Sequence, residues 1–162
     1  IVDLKYDQAG NYSEGLAKFG VRDPAKKATG FYGGSFDKLA FSGKWGYIDK
    51  SGNIVIAAQF EEAGDFAAGL AAVKKGSLWG FIDKAGKLVI EPRFDAADPF
   101  SEGLAAVRKG EKWGYVDKTG RIAINLQFDD ALGFSNGLAQ VWLGEKMAYV
   151  LPTGKYFWGP SK

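Results

Sequence analysis

The sequence predicts an all-β protein of tandem 34-residue repeats, each a three-stranded antiparallel meander, and three observations carry that expectation. Trp-Gly stands at Trp45-Gly46, Trp79-Gly80 and Trp113-Gly114, 34 residues apart, and the next step falls on Met147-Ala148. Each Trp-Gly opens a short run of β-branched and aromatic residues closed by turn chemistry, as in Leu78-Trp79-Gly80-Phe81-Ile82 before Asp83-Lys84-Ala85-Gly86. Glycine supplies 23 of the 162 residues, roughly twice its usual share, which argues for frequent turns and against long helices. A 34-residue period also occurs in paired-helix repeats, so the strand-and-turn pattern within each unit decides between them.

Taken in order, the chain reads as one domain, 1–162, with three full units (45–78, 79–112 and 113–146) between two half-units (1–19 and 147–162). The first half-unit, with Tyr12-Ser13-Glu14-Gly15-Leu16-Ala17, matches the second half of a unit, and the last matches the first half. An insertion at 20–43 separates the opening half-unit from Trp45. It starts polar (Arg22-Asp23-Pro24) and continues rich in glycine and aromatics (Phe31, Tyr32, Phe36). Within a unit, a Leu-Ala-x-Val strand such as Leu104-Ala105-Ala106-Val107 turns at Lys109-Gly110 into the Trp-Gly strand. The Asp-Lys-x-Gly turn then leads to a third strand such as Leu88-Val89-Ile90. Asp opens that turn with its side chain and Gly supplies positive φ at its end. Phe94 to Ser101 and its equivalents read as a polar linker pinned by two phenylalanines.

The long motif Trp-Gly-aromatic-Ile/Val-Asp-Lys-x-Gly, followed by Phe-Asp/Glu-x-Ala-x-x-Phe-Ser-x-Gly-Leu-Ala-x-Val, resembles the bacterial WG-repeat (KWG-repeat) proteins. That resemblance implies β-rich modules, often surface-associated or part of multidomain proteins, without a general enzymatic activity. The last half-unit departs from it, with Met147-Ala148 for Trp-Gly and Leu151-Pro152 for Asp-Lys, as a capping unit would. Such meanders stack in an open or partly closed array. The alternative is a four-unit, propeller-like ring in which the two half-units complete one blade.

Composition narrows the function. With no His and no Cys, the chain offers no zinc ligands of the usual kind, no Ser-His or Cys-His nucleophile pair and no disulfide. No cofactor or metal is expected. The 21 basic and 19 acidic residues nearly balance, and no unit carries the one-sided basic stripe of a nucleic-acid-binding face. No run of about 18 apolar residues is present to span a membrane, so the chain reads as soluble, with the cell envelope or surface favoured over the cytoplasm. It begins at Ile1 without a signal pattern, which fits a processed form or a piece of a longer protein.

Each column of repeated residues has a structural reading. Trp45, Trp79 and Trp113 pack as repeat-defining aromatics rather than as glycan platforms. Asp49, Asp83 and Asp117 cap turns rather than bind calcium, which needs six to eight oxygens. The acidic pairs Glu61-Glu62, Asp95 with Asp98, and Asp129-Asp130 recur as linker residues would, whereas a catalytic pair would be singular.

Function is therefore sought where one unit breaks the pattern. Trp142-Leu143 replaces Lys74-Lys75 and Arg108-Lys109, Leu132 replaces Gly64 and Asp98, and Leu126 replaces Ala58 and Pro92. Together these four residues predict either an apolar contact surface, with Phe31, Tyr32 and Phe36 of the insertion second, or a patch covered from within the chain by Tyr156, Phe157 and Trp158 or by Phe31, Tyr32, Phe36 and Phe41 of the insertion. The expected function is a non-enzymatic interaction or structural module, part of a larger bacterial protein or assembly, whose partner is a protein or a neighbouring domain. The alternative is a carbohydrate-binding module of the cell envelope using Trp142, Tyr156 and Trp158.

Overall fold

The computed structural model describes residues 8–22 and 43–159, and among these every regular element is a strand. Sixteen strands form four antiparallel sheets of four, each in simple chain order. Sheet I holds β1 (Gln8–Ser13), β2 (Leu16–Arg22), β3 (Gly43–Asp49) and β4 (Ile54–Phe60). Sheet II holds β5 (Glu62–Ala63), β6 (Ala71–Lys75), β7 (Leu78–Ile82) and β8 (Leu88–Phe94). Sheet III holds β9 (Ala96–Ala97), β10 (Leu104–Lys109), β11 (Lys112–Asp117) and β12 (Ile122–Phe128). Sheet IV holds β13 (Asp130–Ala131), β14 (Ala139–Leu143), β15 (Lys146–Val150) and β16 (Tyr156–Trp158).

The expected three-stranded meander is present in every sheet, and the linker adds a fourth strand to it. Residues read as polar connector contribute β5, β9 and β13, two residues each, paired to the next Leu-Ala-x-Val strand (Ala97 opposite Val107, Ala131 opposite Val141). Sheets therefore straddle the sequence repeat: sheet II runs from Glu62 to Phe94, across the 78/79 boundary. The insertion aromatics Phe31, Tyr32, Phe36 and Phe41 lie outside the described residues.

Alternation along the strands sends small and β-branched residues to both faces, so each inner sheet is buried on two sides. Three cores fill the seams between consecutive sheets. Tyr47, Ile56 and Phe60 of sheet I meet Ala71, Val73 and Ile82 of sheet II. Ala72, Phe81 and Ile90 of sheet II meet Ala105, Val107 and Val116 of sheet III. Ala106, Tyr115 and Ile124 of sheet III meet Ala139, Val141 and Val150 of sheet IV. A fourth buried cluster, Ala17, Phe19 and Ile48, lies on the face of sheet I turned away from sheet II.

Among the described residues, sheet IV is the last of the array and no further sheet packs on its outer face. Its Trp158 occupies the repeat position of Ile56, Ile90 and Ile124. Those three are 2–3% exposed, and Trp158 is 59% exposed. A four-unit ring would bury this position against sheet I, so the ring is not the arrangement adopted.

Candidate functional site

The repeated residues have local work that the geometry makes explicit. Asp49, Asp83 and Asp117 each accept from two backbone amides of their own turn, those of Ser51 and Asn53, Ala85 and Lys87, and Thr119 and Arg121. The Asn53 amide hydrogen bond holds the Asp49 carboxyl below its ordinary range, and the Thr119 hydroxyl does the same for Asp117. The first acid of each linker caps the other hairpin, because Glu61, Asp95 and Asp129 accept from the amides of Gly76, Gly110 and Gly144. Of the remaining acids, Asp98 is half-buried, and desolvation followed by the nearby Asp130 charge raises its pKa. No three acidic side chains converge to hold a metal ion among the described residues.

The tryptophan column is half-buried, with Trp79 packed on the core of seam II–III and Trp113 on that of seam III–IV. Lys18 Nζ sits 5.8 Å from the Trp45 ring centroid.

Two faces of sheet IV divide the predicted apolar surface. Ala139, Val141 and Leu143 alternate toward sheet III, where Leu143 packs on the core together with Trp113. Trp142 falls on the opposite face, directly across from Met147, and Gln140 lies across from Tyr149. Leu132 joins that outward face, since its amide donates to the Gln140 carbonyl, and it is 48% exposed. Leu126 is elsewhere, packed on the core of seam II–III and lining a groove of about 690 Å3 with Arg93, Lys109 and Arg121. The structure thus brings Trp142 and Leu132 together and separates Leu143 and Leu126 from them.

Tyr149 and Met147 complete the outward face and were not singled out from the sequence. Tyr149 stands opposite Trp158, with ring centroids 6.4 Å apart. The signal for it is the column Tyr47, Phe81, Tyr115, Tyr149 beside each Trp-Gly or its replacement. In the first and last seams that column binds the following sheet. The Tyr47 hydroxyl donates to the Gly64 carbonyl and the Tyr115 hydroxyl to the Leu132 carbonyl, both at 2.7 Å. Burial pushes both phenol pKa values up, so both remain protonated donors at neutral pH. Gln140, Trp142, Met147, Tyr149 and Trp158 carry no formal charge, and Asp130, in register with Trp142, is an acidic residue at the rim.

The sequence profile of the family described as "WG containing repeat" matches residues 1–22, 45–79, 79–113 and 113–146. Among solved structures, a plant lectin with two metal binding sites from Cicer arietinum is 15% identical, over 88% of this chain and 84% of that one, with a TM-score of 0.34. A plant albumin from Cicer arietinum showing hemagglutination is 13% identical, over 97% and 91%, with a TM-score of 0.32. A 2S albumin seed protein from Dolichos is 13% identical, over 93% and 85%, also at 0.32. At these scores neither a fold nor a ligand transfers to this chain. No curated protein matches it.

Proposed function

The chain belongs to the WG containing repeat family, and from that premise we propose that it is a non-enzymatic module that binds a protein partner through the outward face of sheet IV. We place it as one part of a larger bacterial protein or assembly. The observation that supports this reading is the face itself: an aromatic-rich sheet surface on which Tyr149 is partly exposed and Trp158 is exposed, at positions that are buried in the other three sheets (Tyr47, Phe81 and Tyr115; Ile56, Ile90 and Ile124). Tyr, Trp and Met are the residue types enriched at protein interfaces. The non-enzymatic reading rests on the absence of His and Cys and on acidic side chains already engaged as turn caps.

Trp142→Lys restores the charge found at Lys74 and Arg108 in the sibling units. With the tagged chain expressed in its source cells, it is expected to abolish retention of a discrete partner while leaving the melting temperature unchanged. Retention of the same protein by the folded variant would overturn this assignment.

A carbohydrate-binding module of the cell envelope is the second reading, favoured by the exposed Trp158 ring beside Tyr149. Quenching of Trp fluorescence by soluble oligosaccharides in place of protein capture would select it.

A further inference from the structure

We propose that Asn136-Gly137 is a self-modifying site: the asparagine deamidates through a cyclic imide formed with its own main chain, and Glu102 of the preceding sheet holds that reaction back. The inference is independent of what sheet IV binds.

The chain has four asparagines, and three precede side chains that crowd the next amide: Asn11 before Tyr12, Asn53 before Ile54 and Asn125 before Leu126. Asn136 alone precedes glycine, whose amide nitrogen has no side chain to shield it. The fold holds this pair in a two-residue hairpin. Ser135 and Leu138 exchange both backbone hydrogen bonds around it, with φ of 52° at Asn136 and 77° at Gly137. Positive φ at both central residues is the turn that Asn-Gly favours. Glu14-Gly15, Ala68-Gly69 and Glu102-Gly103 have the same left-handed pair, so the repeat sets the geometry and only the chemistry of residue 136 is new. Asn136 is exposed, which leaves its carboxamide unpacked beside the main chain.

In the reaction the Gly137 amide gives its proton to water or hydroxide, and its nitrogen attacks Cγ of Asn136. The N–Cγ bond forms, the Cγ–Nδ2 bond breaks, and the side-chain nitrogen takes up a proton and leaves as ammonia. Water then opens the imide at Cγ, giving aspartate, or at the main-chain carbonyl carbon, giving isoaspartate with the chain routed through the β-carbon. The sum is amide plus water to acid plus ammonia, so water is the only co-reactant.

The restraint on the first step lies across seam III–IV, where the Gly137 amide donates to Glu102 Oε2 at 2.9 Å. A carboxylate that accepts this hydrogen bond disfavours the amide anion and fixes the amide plane, so attack waits for the contact to open. The matching contact at seam I–II, Glu14 with the Gly69 amide at 3.0 Å, restrains an Ala68-Gly69 pair that has nothing to deamidate. Either product puts a carboxylate on residue 136, the place where Glu14 and Glu102 carry theirs. Isoaspartate also adds a methylene to the main chain of the turn that sets the register of β14.

Peptide mapping by mass spectrometry of the full chain, incubated at neutral pH and fragmented so that aspartate and isoaspartate are distinguished, tests the proposal. Asn136 of the wild type is expected to convert while Asn53 and Asn125, both exposed, stay intact in the same digest. Chain unfolded in guanidinium chloride sets the unrestrained rate at Asn136. Glu102→Ala places alanine at φ of 52°, where Ala68 already stands at 54° in a sibling turn. It should raise the native rate about tenfold, the effect of losing one hydrogen bond to a charged group. Ser101→Ala removes a different bond of the same seam, that from Ser101 Oγ to the Phe134 carbonyl, and should raise the rate less, which separates loss of the restraint from general loosening. Three results overturn the proposal: a native Asn136 that stays intact while the unfolded chain converts, conversion at Asn53 or Asn125 as fast as at Asn136, or a folded Glu102→Ala chain that converts no faster than the wild type or than Ser101→Ala.

Discussion

At the residue scale the deciding feature is the glycine after each tryptophan. A Cβ built on Gly46 would lie 2.5 Å from the Ile56 carbonyl oxygen and 2.7 Å from the Ala58 nitrogen. On Gly80 it would lie 2.8 Å from the Pro92 nitrogen, and on Gly114 2.6 Å from the Ile124 oxygen. The obstacles are backbone atoms of the neighbouring strand, which cannot swing aside as a side chain tip would. The crowding arises because the pairing slips there, with Trp45 opposite Phe60 but Tyr47 opposite Ile56, so the partner strand bows into the space beside the glycine. Gly80→Ala is therefore expected to destabilise the fold by about 1–3 kcal/mol, the range for overpacking a closed site. Gly76→Ala, with open space at its Cβ but φ of 68°, supplies a comparison in which only backbone strain acts. Urea denaturation of the two variants checks this, and a Gly80→Ala variant as stable as the wild type would show that the strands can part without cost. The Trp-Gly pair was legible in sequence as a fixed point of the 34-residue repeat. The bulge itself was not, since register depends on which strand the residues meet.

At the scale of elements, strands, hairpins and turn caps followed from periodicity and turn chemistry, and what escaped was what pairing alone creates. Strands β5, β9 and β13 consist of Glu-Ala, Ala-Ala and Asp-Ala, weak strand formers that are extended because a neighbouring strand binds them. The division of Trp142 from Leu143 was readable in principle. Val141 and Leu143 are two apart and so share the inward face of β14, which leaves Trp142 outward. A second hidden element is a set of polar bonds tying each sheet to the next. At seam I–II, Tyr47 binds the Gly64 carbonyl, Ser13 the Phe66 carbonyl and Glu14 the Gly69 amide. At seam III–IV, Tyr115, Ser101 and Glu102 repeat these bonds to Leu132, Phe134 and Gly137. Seam II–III has Phe81, Ala67 and Ala68 at the same three places, side chains that can make none of them. Phe81→Tyr should therefore install a missing bond, its hydroxyl meeting the Asp98 carbonyl at the repeat position of Gly64 and Leu132. A gain of about 0.5–1.5 kcal/mol is expected. Thermal denaturation reads the sign, and a loss of stability would mean that this seam has no room or no aligned acceptor for the hydroxyl.

At the scale of the whole molecule, the same asymmetry divides four sheets into two latched pairs. Seam I–II adds ion pairs to its three bonds, Lys18 to Asp65 at 3.2 Å and Lys84 to Glu14 at 3.3 Å. Across seam II–III, Arg93 donates to the Gly120 carbonyl, beside the open groove lined by Arg93, Lys109 and Arg121. All three seams bury apolar cores of the same kind, so the difference in polar bonds sets their relative strength. With each bond contributing about 1 kcal/mol net, the middle seam is weaker by about 2–3 kcal/mol. In a repeat array, stability is a sum of unit and nearest-neighbour terms, and the weakest neighbour term is where cooperativity breaks first. Trp79 packs at the middle seam and Trp113 at the last one, so the two report on different interfaces. In a chain labelled with 5-fluorotryptophan and followed by fluorine NMR during urea titration, the Trp79 resonance is expected to leave its native position at lower urea than that of Trp113. The triple variant Phe81→Tyr, Ala67→Ser and Ala68→Glu, which gives the middle seam the latching side chains of the other two, should bring the two transitions into coincidence. Coincident transitions already in the wild type would show that apolar burial alone sets the seams, and that the latches leave the cooperative unit undivided.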